Sequence, residues 1–114
     1  MEQKISAQAQ QLIMQLQQYQ QQMQMTAVQK ENLTIQKISL EKALEELDKA
    51  KDNEEVFKAI GPILIKTTKK EVDVDLKEKL SSIDARLLRI ENQEKKMREK
   101  ADEIQKKLQE SVKA

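Results

Sequence analysis

The sequence predicts a mainly α protein: a long antiparallel two-helix coiled coil with a single β-hairpin at the crossover, the hairpins of several chains joining into a β-barrel. Three observations carry that reading. Apolar residues recur at alternating steps of four and three along two long stretches. The only Gly and the only Pro stand side by side between those stretches, as Gly61-Pro62. Short apolar or β-branched runs flank that dipeptide on both sides. At 114 residues the chain is expected to be one domain, 1–114, with a helix over 3–52, a hairpin over 55–69 and a helix over 74–113.

The first helix is read from the series Ile5, Ala9, Leu12, Leu16, Tyr19, Met23, Thr26, Lys30, Leu33, Lys37, Leu40, Leu44, Leu47, in which ten of thirteen residues are apolar. A 4-3 spacing is the seam of a coiled coil. The residues between are mostly Gln, Glu and Lys, which favour helix. Asn53 is positioned to end this helix in a left-handed conformation.

The hairpin follows. Val56-Phe57-Lys58-Ala59-Ile60 and Ile63-Leu64-Ile65-Lys66-Thr67-Thr68 suit strands, and Gly61-Pro62 supplies the turn and breaks any continuous helix. Asp73 offers an N-cap for the second helix. Its seam runs Leu76, Leu80, Ile83, Leu87, Ile90, Glu94, Met97, Ala101, Ile104, Leu108, Ser111, with nine of eleven apolar.

A compact hairpin returns the second helix antiparallel to the first, so the seams can pair within one chain. Lys30 and Glu94 then fall in adjacent layers and are expected to form an ion pair across the seam. The alternative is that each extends to water on its own.

An isolated hairpin is marginal in water, and this one would expose two edges. Ile63 and Ile65 point to one face and Leu64 to the other, so a single coiled coil cannot cover both. Several chains sharing their hairpins in a sheet or barrel would remove the edges. A loop collapsed on its own helix ends is the competing reading.

Composition excludes most other classes. The chain has no His and no Cys, so zinc sites, Cys nucleophiles, Ser-His-Asp triads and disulfides are unavailable. One Gly leaves no glycine-rich phosphate loop. Glu45-Glu46 and Glu54-Glu55 read as surface pairs with nothing to desolvate them, so acid–base catalysis lacks its prerequisite. No enzymatic activity, cofactor or metal is expected. A net charge of +1 gives no bulk attraction to nucleic acid or anionic membrane, and the Lys66–Lys70 cluster has no interleaved aromatic. The longest apolar run, Ile63-Leu64-Ile65, is too short to span a bilayer, and the N-terminus lacks a signal peptide's apolar segment.

Charge is distributed unevenly. Residues 1–29 hold twelve Gln and only two charges, Glu2 and Lys4. Off-seam apolar residues appear near the helix ends away from the hairpin: Ile13, Met14, Met25 and Val112. A narrow seam leaves such side chains exposed, and an uncharged Met, Ile and Gln surface adapts to varied apolar partners.

The layout, together with VFKAIGPILIKTTKKEV at 56–72, resembles the β-type subunits of the archaeal prefoldin family. QQYQQQMQ at 17–24, LEKALEEL at 40–47 and LKEKL at 76–80 add to the resemblance, which covers essentially the whole chain. Pro62 after the hairpin glycine departs from the family pattern and bears on the turn type. The resemblance implies a cytoplasmic, ATP-independent chaperone subunit. Such subunits assemble as hexamers of two α-type and four β-type chains, capture unfolded polypeptides at coiled-coil tips and pass them to a group II chaperonin. Carried over by position, Val56, Phe57, Ile60, Ile63, Leu64 and Ile65 would build the barrel. Ile5, Leu12, Ile13, Met14, Leu16, Leu108 and Val112 would contact clients, and Lys106, Lys107, Glu110 and Lys113 would contribute to chaperonin docking. The alternative class is a coiled-coil tether or spacer dimerised through its hairpin.

Overall fold

The computed structural model describes residues 6–113, with side chains described for residues 6–111. The order of elements is α1 (Ala7–Lys49), β1 (Val56–Ile60), β2 (Ile63–Thr67) and α2 (Lys69–Lys113). The chain forms two compact units, one from Asn32–Leu87 and one from Met1–Glu31 with Leu88–Ala114.

Helix α1 starts at a serine cap. The Ala9 N–H donates to Ser6 Oγ at 3.1 Å, and the Gln10 N–H to the Ser6 carbonyl at 3.0 Å. These bonds satisfy donors that the first turn would otherwise leave open. The helix ends earlier than expected, at Lys49. Asn53 does not end it, because no described residue other than Gly61 has a positive φ. The Ala50 N–H instead bonds back to the Leu47 carbonyl at 3.1 Å, and Lys69 Nζ donates to the Ala50 carbonyl at 2.8 Å. A cation at a helix C-terminus satisfies orphan carbonyls and complements the dipole, which makes a left-handed residue unnecessary.

Asp73 does not cap α2. The helix begins at Lys69, and the Glu71 N–H donates to Thr68 Oγ1 at 3.2 Å while Thr67 Oγ1 donates to Glu71 Oε2 at 2.7 Å. Thr68-Lys69-Lys70-Glu71 has the spacing of a capping box, a start signal five residues ahead of the aspartate. Asp73 lies inside the helix and pairs with Lys77 at 3.0 Å, one turn on.

Within each unit the least exposed helix positions are the seam residues. Ala9, Thr26, Ala101 and Ile104 are buried in one unit, Leu47 and Ile83 in the other. Thr26 spends its hydroxyl on the Gln22 carbonyl at 2.8 Å, so its burial leaves no open donor. No described large side chain is completely buried, as expected where only two helices enclose a core. The mid-seam charges meet: Lys30 Nζ lies 3.1 Å from Glu94 Oε1. In the other unit Lys37 Nζ lies 2.8 Å from Asp84 Oδ1.

The sheet is a two-stranded antiparallel hairpin in which Val56 pairs with Thr67, Lys58 with Ile65, and Ile60 with Ile63. Gly61 has φ +55°, and Pro62 holds the second turn position. Proline fixes φ negative, so type I′ is excluded and type II′, with glycine first, remains. The ladder bond that closes such a turn comes from Ile63, so the missing N–H of Pro62 costs nothing there.

Candidate interaction surfaces

The register divides the hairpin into two faces. Val56, Lys58, Ile60, Ile63, Ile65 and Thr67 share one; Phe57, Ala59, Leu64 and Lys66 share the other. Both are largely bare. Phe57 is 53% exposed and Leu64 72%, and Ile60, Ile63 and Ile65 are also exposed; Val56 alone among the expected barrel residues is half-buried. The two strands pair only with each other, so each also presents one open edge.

The charges around these faces are neutralised within the chain. Lys66 Nζ lies 3.1 Å from Glu55 Oε1, and Lys58 Nζ 3.1 Å from Asp75 Oδ2. Asp75 also faces Lys79 at 3.4 Å. The hydrogen bond from Lys58, with that from Lys79 and the field of both ammonium groups, holds the Asp75 carboxyl below its ordinary value of 3.8. Most of the Lys66–Lys70 cluster is thus engaged internally: Thr68 caps α2, Thr67 donates to the Glu71 carboxylate, Lys66 faces Glu55, and Lys69 Nζ reaches the Ala50 carbonyl and lies 3.6 Å from Asp52.

The expected client-contact residues differ in what they offer. Met14 is 64% exposed. Leu12, Ile13, Leu16 and Leu108 are half-buried, because the three leucines are seam residues and Ile13 borders the seam. Ile5 lies outside the described residues, as does the side chain of Val112. Lys106, Lys107 and Glu110 are exposed on α2, and the side chain of Lys113 lies outside the described set.

Other exposed apolar residues lie off the seam. Val28 and Leu88 are exposed in one unit, and Ile35, Ile38 and Val74 in the other, whereas the exposure of Met25 is as its off-seam position predicts. A sequence signal for them exists: Met14, Gln21, Val28 and Ile35 recur every seven residues, two positions past a seam residue. Helix α1 therefore carries apolar side chains on its outer side as well as its seam, whereas the outer side of α2 is mostly charged.

Among the described residues no cluster of His, Cys, Asp and Glu could hold a metal ion, and no helix is long and apolar enough to cross a membrane. The exposed apolar faces suit association with other chains.

The sequence profile of the family described as "Prefoldin subunit" matches residues 10–114. The prefoldin subunit beta of Thermococcus gammatolerans is 42% identical over 72 residues, covering 63% of this chain and 62% of that protein. The corresponding protein of Archaeoglobus fulgidus is 45% identical over 69 residues, covering 60% of each chain. These alignments span about three fifths of the curated relatives' own length. Over 99% of both chains, the structure is similar to the crystal structure of the prefoldin beta subunit from Thermococcus strain KS-1, with TM-score 0.94 and 35% sequence identity.

Proposed function

The chain belongs to the prefoldin subunit family, and on that premise we propose that it is a β-type subunit of an ATP-independent chaperone. In this reading it works in the cytoplasm within a hexamer of two α-type and four β-type chains. The assembly captures unfolded polypeptides at the coiled-coil ends remote from the hairpins and passes them to a group II chaperonin. The bare hairpin is the observation that supports this most directly. Two apolar faces and two open edges, with their lysines already neutralised, suit burial against other hairpins.

Capture without nucleotide follows from avidity. One uncharged Met, Leu and Gln surface binds an unfolded segment weakly, while several held on one frame raise the effective concentration. Weak single contacts also let the client leave without a chemical step. Lys106, Lys107, Glu110 and Lys113 are proposed contributors to chaperonin docking.

The test is suppression of light scattering by two unrelated unfolding proteins, using the native complex isolated through a tag on this chain. Full-length complex should protect both, and a form lacking residues 1–12 and 106–114 should assemble yet protect neither. A plain homodimer that protects no client would establish the tether instead.

A further inference from the structure

We propose that a groove beside the seam, in the unit formed by Met1–Glu31 and Leu88–Ala114, binds extended acidic polypeptide segments. The inference rests on the chaperone reading and adds a client chemistry to it. The groove has a volume of about 660 Å³, with Gln15, Gln22 and Gln93 among its walls, Lys96 and Lys100 at its rim and Tyr19 among its apolar lining.

The heptad explains this composition. With Ala9 and Leu12 as positions a and d, position g of α1 is Gln at residues 8, 15, 22, 29 and 36, five consecutive heptads. With Leu80 and Ile83 as a and d, position g of α2 is Lys79, Arg86, Gln93, Lys100 and Lys107. No carboxylate occupies position g in either helix; Lys96 borders it at position c, a column that also carries Glu103 and Glu110. The opposite flank of α2, position e, mixes signs through Lys77, Asp84, Glu91 and Arg98. The unit formed by Asn32–Leu87 has its own groove of the same kind, about 520 Å³, with Gln36, Lys79 and Arg86 among its walls.

Each element of this flank matches an extended acidic chain. A glutamine amide both donates and accepts, so it can pair with peptide N–H and C=O whatever the side chains. Glutamines one heptad apart are spaced by about 10.5 Å along the helix, or roughly three residues of extended peptide. Lys96 and Lys100 are about 6 Å apart along the axis, close to the repeat between alternate residues of a strand. Among the described residues neither lysine has a carboxylate at ion-pair distance, although Glu99, Asp102 and Glu103 lie beside them on the outer side of α2. Like charges one turn apart disfavour each other, a strain that a bound carboxylate would relieve. Nucleic acid fits less well, since one half-buried tyrosine is the only aromatic side chain here for bases to stack on.

Fluorescence anisotropy with the native complex decides the matter. The probes are labelled 16-residue peptides alternating Glu-Ser or Lys-Ser, and a labelled oligo-dT of similar length. The Glu-Ser peptide should bind at least about tenfold tighter than the Lys-Ser peptide in low salt, with the preference fading toward 0.5 M NaCl. Replacing both groove lysines, Lys96→Gln with Lys100→Gln, keeps good helix formers and should remove most of that preference. Protection of a neutral unfolding client should persist in this variant. Equal binding of the two peptides, an unaltered preference in the variant, or tighter binding of oligo-dT would overturn the inference while client protection kept the chaperone reading intact. Complex that protects no client and binds no peptide would overturn both.

Discussion

Asp75 is the residue on which the hairpin's attachment to α2 depends most visibly. Its carboxylate sits between Lys58 of β1 and Lys79 of α2, and its pKa is lowered mainly by the hydrogen bond from Lys58. A depressed carboxylate pKa contributes stability that is present above the unfolded value of 3.8 and is lost as pH falls through the lower folded value. Melting temperatures of the wild type and Asp75→Asn should therefore differ near neutral pH and converge below that window; parallel curves down to pH 2 would contradict the assignment. The pair Lys30–Glu94 acts at the same scale. Its lysine is 40% and its glutamate 20% exposed, so screening limits what the pair contributes. A double-mutant cycle in Lys30→Met and Glu94→Gln should give a coupling of about 0.5 kcal/mol, and a value of zero would remove any role in setting the register.

At the scale of elements, the helix ends are where local rules competed. Asp73 satisfies the preference for an N-cap, but one turn earlier Thr68 accepts from the Glu71 N–H while Thr67 donates to the Glu71 carboxylate. Thr68→Ala should cost about 1 kcal/mol in the unfolding free energy measured by urea titration. Asp73→Ala should cost only about 0.3–0.5 kcal/mol, since it breaks an exposed ion pair within the helix. The reverse order would return the cap to Asp73. The end of α1 was harder to foresee, because its carbonyl partner is Lys69, nineteen residues along the chain. No rule of helix termination written in local sequence reaches that far.

At the scale of the whole molecule, the exposed hairpin means that the chain by itself is an unfinished structure. A face bearing Phe57 and Leu64 and one bearing Ile60, Ile63 and Ile65 are both left to solvent. Burying them in an oligomer stabilises by about 25 cal/mol per Å² of apolar surface removed from water. Placing a charge on each face, with Ile63→Glu and Leu64→Glu, should dissociate the assembly in native mass spectrometry. Far-ultraviolet circular dichroism should retain its helical signal, because neither residue belongs to a seam. An intact oligomer in the double variant would show that assembly runs through another surface.

The two seams, the place of the crossover and the alternation of the hairpin faces are legible in the sequence. Those features follow from periods of 3.5 and 2 residues and from the φ preferences of Gly61 and Pro62, which act within a few residues of each other. Val28 and Ile35 continue the exposed row of Met14 at a period of seven, a signal equally legible in the sequence. Left to the tertiary structure were the end of α1, the neutralisation of Lys58, Lys66 and Lys69, and which flank of the seam forms a groove. Those outcomes depend on side chains meeting across the fold, as Lys58 meets Asp75 and Lys69 meets Ala50. Such pairings are chosen by distance in space, and spacing along the chain encodes them only where both partners lie on the seam, as Lys30 and Glu94 do.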